Sequence, residues 1–185
     1  MVVSRFMEWR RGLFEGQGHV IHSERVIGQI DDLILMLRPL VMPLRTKYLF
    51  VPTRTGACAV FDNGGIGSDL ISLFSVMTGM LNCAAVEFTH VEDAPARPGG
   101  VSFSLFDGGD VTRSVHLIHD SKNRWVFEQH GDAKDFEDGA AYRAKKVKDR
   151  LGFALLRDYA RRLDADVYDP VYYGESATLV YHERA

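Results

Sequence analysis

Between residues 101 and 130 the hydrophobic pattern breaks into three strand-length runs, 101–106, 111–119 and 124–130. The links between them are Asp107-Gly-Gly-Asp110 and Asp120-Ser-Lys-Asn123, both rich in residues that tolerate positive φ. Apolar runs joined by such short turns predict an antiparallel meander. Further runs at 47–51, 57–61, 83–90 and 177–181 read as strands, the first two joined by Pro52-Thr-Arg-Thr-Gly56.

Helical spacing occurs elsewhere. Val26, Ile30, Leu33 and Leu37, widened by Ile27 and Ile34, predict an amphipathic helix that starts at an N-cap Ser23 and ends before Pro39. A second helix is expected over 68–81, with Leu70, Leu73, Phe74, Met77, Met80 and Leu81 on its core face and Asp69, Ser72 and Thr78 off it. Two more are expected over 138–150 and 153–163, the latter packed through Leu151, Leu155, Leu156 and Tyr159. In residues 1–18, Phe6, Trp9 and Leu13 keep helical spacing, but Gly12, Gly16 and Gly18 weaken it, so the segment reads as a docked arm or a frayed end. The expected architecture is α+β: one domain over 1–185, with a mainly antiparallel or mixed sheet of about five to seven strands and helices mainly on one face.

The turns also predict a register. With Gly108-Gly109 and Ser121-Lys122 as turn centres, Phe103 faces Ser114 and His116 faces Phe127. One face then carries Val101, Phe103, Leu105, Ile118, Trp125 and Phe127, with His116 and Thr112 among them. The other is mixed: Ser102, Ser104, Arg113, His119, Arg124, Glu128 and His130, interrupted by Val111, Val115, Leu117 and Val126. Ser104, Arg113 and His130 form one row, with Glu128 diagonal to Arg113.

Composition narrows the classes. Hydrophobic residues make up 46% and charged residues 25%, the usual mix for a chain that folds. A net charge of −3 argues against a dedicated nucleic-acid binder. The run Arg143-Ala-Lys-Lys-Val-Lys-Asp-Arg150 spreads its cations around a helix and reads as a solvated surface. The first residues hold no apolar signal run, and the longest apolar run, 33–37, is far short of a membrane span. Cys58 and Cys83, both in apolar surroundings, read as buried reduced thiols. A cytoplasmic protein is expected.

No motif assigns a reaction, a metal or a cofactor. The glycine-rich link at 62–69 lacks the lysine of a phosphate loop, and its Asp62 and Asp69 repel anions. His116 and His119, three apart on one strand, point to opposite faces and cannot share a metal. The best constellation is the mixed face itself, so the candidate surface is Ser104, Arg113, Glu128, His130, His119 and Arg124. The leading expectation is a non-enzymatic protein-binding domain, such as a bacterial immunity-type inhibitor. The alternative is a small-molecule-binding protein or hydrolase-like enzyme, with its site near Arg113, Glu128 and His130 or at the 62–69 loop. Self-association is expected through residues 1–18 or the tyrosine-rich tail (Tyr159, Tyr168, Tyr172, Tyr173, Tyr181).

Overall fold

Eight strands and four helices alternate irregularly along the chain in a computed structural model that describes residues 1–14, 17–41, 46–64, 70–94, 98–120 and 122–184. The class is α+β with antiparallel strands, as expected. The strands are divided, however, between two sheets of four rather than gathered in one of five to seven. The residues group into two compact units, Met1–Ser68 with Val167–Ala185, and Asp69–Asp166.

The first unit contains α1 (Val2–Phe14), β1 (His19–Ile27), α2 (Ile30–Leu35), β2 (Lys47–Pro52) and β3 (Cys58–Asp62). The other unit follows with α3 (Ile71–Leu81), β4 (Ala84–Val91), β5 (Gly100–Asp107), β6 (Asp110–His119), β7 (Trp125–His130) and α4 (Phe153–Arg162). The chain then returns to the first unit with β8 (Ser176–Arg184). The first sheet has the order β1-β8-β2-β3 and the second β4-β5-β6-β7, every pair antiparallel.

Side-chain alternation gives the first sheet two buried faces. Tyr48, Phe50, Val180 and His182 lie on the face under α1, where the Phe6 ring sits 4.8 Å from Tyr48 and 4.9 Å from Phe50. Leu49, Val51, Ala177 and Leu179 lie on the other and form a core with Ile30, Leu33, Leu37 and Tyr173. The expected arm at 1–18 is therefore a helix through Phe14, anchored by the buried Phe6 and Phe14, while Leu13 faces solvent.

The helix expected to start at Ser23 is a correction: 19–27 is strand β1, paired along its length with β8, and the helix is confined to 30–35 with Gln29 at its N-cap. Ile30, Leu33 and Leu37 are buried as their spacing implied. Gly28 interrupts the stripe, and the β-branched Val26 and Ile27 favour extended backbone once β8 supplies hydrogen-bond partners. Gly28 itself donates its N–H to the Glu175 carbonyl, prolonging that ladder.

In the second unit α3 and α4 take opposite faces of the sheet, so helices are not confined mainly to one side. Phe74 of α3 meets Phe106, and Tyr159 of α4 meets Phe103 edge-on at 5.7 Å. Thr78, expected off the core face, is buried: its hydroxyl donates to the Phe74 carbonyl and accepts the Gly109 N–H. That contact seats the Gly108-Gly109 turn on α3, where both glycines hold positive φ. The helix expected at 138–150 is absent. Two short 3₁₀ turns, Ala141–Arg143 and Val147–Asp149, take its place. Tyr142 is the one buried side chain in this stretch, too little apolar surface to hold a longer helix on the sheet.

Candidate functional site

Two local features decide what the meander exposes. At the first hairpin Asp107 pairs with Asp110 and Phe106 with Val111, as the Gly108-Gly109 turn requires. The register then shifts: Leu105 pairs with Arg113, leaving Thr112 as the extra residue of a β-bulge. At the second hairpin the Asp120 N–H donates to the Arg124 carbonyl and His119 pairs with Trp125, one position beyond what a Ser121-Lys122 turn centre requires, with Asn123 at φ 57°. Each feature moves the pairing by one residue. Phe103 therefore faces Val115, not Ser114, and His116 faces Glu128, not Phe127.

The expected Ser104–Arg113–His130 row is replaced by two rows that cross all four strands. Glu87, Ser104, Ser114 and His130 form one, and Thr89, Ser102, His116 and Glu128 form the other. A third, at the edge of the same face, holds Val91, Gly100, Ile118 and Val126. Ser104, Glu128 and His130 thus stay on one face, joined by His116, which was expected on the aromatic face. Arg113 leaves it. The opposite face, toward α4, carries Arg113 with Val101, Phe103, Val115, Leu117 and Phe127.

Arg113 is sealed there, with 1% of its side chain exposed. Its Nε donates to Glu137 at 2.9 Å and its Nη2 at 2.7 Å, a bidentate pair. Nη2 also donates to Gln129 Oε1, and Nη1 donates to the carbonyls of His130 and Gly131. All five guanidinium donors are thereby engaged. Glu137, equally buried, also accepts from the Tyr142 hydroxyl and the Lys134 N–H. Burial alone would raise its pKa, but the hydrogen bonds from Arg113, Lys134 and Tyr142 outweigh that and hold it below the usual carboxylate range. Gly131 turns the chain at φ 75°, where a Cβ would collide with the Thr112 carbonyl. Sequence reasoning named neither Glu137 nor Tyr142. A Glu followed five residues later by a Tyr in an acidic loop carries no pattern that points to Arg113.

What remains open on the meander is a strip along β6 and β7. Glu128 and His130 are exposed, His116 is half-buried, and Ile118 is 41% exposed beside the half-buried Val126. His116 and Glu128 are direct cross-strand partners, a spacing of about 4.5–5.5 Å between Cβ atoms. Burial lowers the His116 pKa and the Glu128 carboxylate partly restores it. Ser104 is buried within its row. His119 and Arg124 belong instead to the hairpin turn. His119 Nδ1 lies 2.6 Å from Asn123 Oδ1, and Arg124 pairs with Asp120 at 2.7 Å. The strip thus combines a carboxylate, two imidazoles and exposed aliphatic surface, a composition suited to recognition by contact.

The other sequence candidates take structural places. Residues 65–69 of the glycine-rich link lie outside the described residues. In its first part, Asn63 is fully buried, accepts the N–H groups of Thr46 and Lys47, and donates to Pro39 O and Thr46 Oγ1. Cys58 is half-buried and its pKa is pushed up to about 11 by burial, whereas Cys83 is exposed, contrary to expectation. Tyr159 and Tyr173 are buried, their hydroxyls bonded to Asp138 N and Val167 O, and Tyr172 and Tyr181 pack on the first unit's core. Under α1, the Arg10 guanidinium donates to the Tyr48 hydroxyl and lies over the Phe14 ring, near His19 and His182. Burial, with the positive charge of Arg10 and His19 added, lowers the His182 pKa to about 4. Among the described residues, no group of three or more His, Cys, Asp or Glu is placed to hold a metal ion, and no helix is long and apolar enough to cross a membrane. Comparisons with protein-family models, with curated proteins and with solved structures find no match.

Proposed function

We propose that this chain is a non-enzymatic, intracellular protein-binding domain that engages its partner through the open strip of β6 and β7. The observation that supports this is the separation made by the register. Arg113, which the sequence set in a row with His130, is consumed inside the fold, while Glu128, His130 and Ile118 stand exposed around the half-buried His116. Charged groups flanking exposed aliphatic surface supply specificity and buried area together. An immunity-type inhibitor, which masks a toxin by surface complementarity, falls within this class. The small-molecule or hydrolase-like alternative loses its anion-binding group with Arg113, since a guanidinium with five satisfied donors has none to offer a substrate.

The test is charge reversal on the strip. Glu128→Lys and Ile118→Lys, both at sites with solvent access, should leave the unfolding transition unchanged and release the co-purifying protein partner. A partner that stays bound to both variants, separately and combined, would mean that the strip is solvated surface and not an interface.

A further inference from the structure

Strand β1 presents a long open edge. It runs nine residues, His19–Ile27, in unbroken register with β8, without proline, glycine or bulge. Among the described residues no strand pairs with its outer side. Val20, Ser23, Glu24, Arg25 and Ile27 are exposed, Val20 by 46% and Ile27 by 75%. Soluble proteins usually blunt such an edge, because its free N–H and C=O groups are a template for another strand. The other edges are less available. β3 is five residues long with none exposed, the Val147–Asp149 turn lies against β7, and β4 exposes Ala84 and His90 alone, the latter stacked on Phe153 at 4.2 Å.

We infer that the partner of this edge is a second copy of the same chain, paired β1 to β1 in antiparallel register about a two-fold axis at Ser23. The sequence of β1 is complementary to its own reverse. With Ser23 opposite Ser23, Val20 faces Val26 and His22 faces Glu24, and each pair occurs twice by symmetry. On the other side of the ribbon Ile21 meets the stem of Arg25, and His19 meets Ile27. This register uses all nine residues. A shift of the axis by one residue, to His22 or to Glu24, would set Glu24 against Val20 or against its own symmetry mate and remove the favourable pair. The result is a continuous sheet of eight strands, β3-β2-β8-β1 followed by its symmetry mate, with no free β1 edge. Residues of β6 and β7 play no part in it, so this inference and the binding strip stand or fall separately.

Sedimentation equilibrium of the full chain across a concentration series tests it. The mass should rise from 20.8 kDa toward twice that value. Glu24→Lys should weaken the dimer by at least about tenfold in Kd, because both cross-axis His22–Glu24 pairs are lost. The double variant His22→Glu/Glu24→Lys should restore it by setting a glutamate opposite a lysine twice across the axis. Val20→Lys, at an exposed edge position, should also give a monomer and serves if Glu24→Lys fails to fold. A strict monomer up to the solubility limit overturns the inference. So does a dimer indifferent to both single variants, or a failure of the charge exchange to restore association in a folded protein.

Discussion

Arg113 and Glu137 hold each other in place at the cost of removing both charges from water. Such a pair adds little net stability against an apolar substitute, but removing one partner strands the other. Arg113→Met should therefore cost about 3–5 kcal/mol in urea unfolding, and Arg113→Met/Glu137→Leu should cost less than either single change. A double variant as unstable as the sum of the two would show that the groups do not act as a pair. Acid sensitivity has a worked sign. His182 has a folded pKa of about 4, below the roughly 6.5 of an unfolded histidine, so the unfolded chain takes up the proton first. Stability contributed by His182 is thus present above about pH 6.5 and lost as pH falls toward 4. His116, lowered by burial against the pull of Glu128, acts in the same direction. Glu137, held below its ordinary range, adds a further loss at lower pH as the unfolded carboxylate protonates first. His182→Phe should flatten the urea midpoint through the histidine window and leave the steeper loss below it. The thiols should differ equally clearly: Cys83 should react quickly with a thiol reagent near pH 8, and Cys58 only on unfolding.

At the scale of elements, local pattern carried information wherever one segment's own residues decide the outcome. The meander, β2, β3, α3, α4 and β8 all lie within a few residues of their expected places, because turn chemistry and apolar periodicity are local. The failures are non-local. β1 is a strand because β8, about 150 residues away in the chain, lies beside it, and its apolar positions alone fit a helix equally well. The candidate site was legible as a face but not in its membership. A single extra residue at Thr112 and the closure of the second hairpin on Asp120 and Arg124 each slip the register by one, which turns Arg113 inward and His116 outward. Neither Thr112 nor Asn123 announces its role, since both are ordinary in regular strands and turns. For residues 1–18 the sequence leaves a docked arm and a frayed end open; the buried Phe6 docks α1 on the first unit's sheet. Phe6→Ala should cost about 3–5 kcal/mol, measured on the transition that reports the first unit, and a cost under 1 kcal/mol would mean α1 is not docked.

Among the described residues, helices pack on the faces of both sheets, while the β1 edge and the β6–β7 strip keep exposed residues. The two proposals concern different surfaces, the β1 edge for a second copy and the β6–β7 strip for another protein. Variants on one should leave the other intact: Glu24→Lys should keep the partner bound, and Glu128→Lys should keep the mass in solution unchanged. The claim that the strip is the binding surface is tested most directly by amide hydrogen exchange of the protein, free and with its co-purified partner. Slower exchange on binding is expected across β6 and β7, strongest over 125–130, with α4 on the opposite face of the sheet equally protected in both states. Unchanged exchange over those strands, with new protection elsewhere, would contradict it.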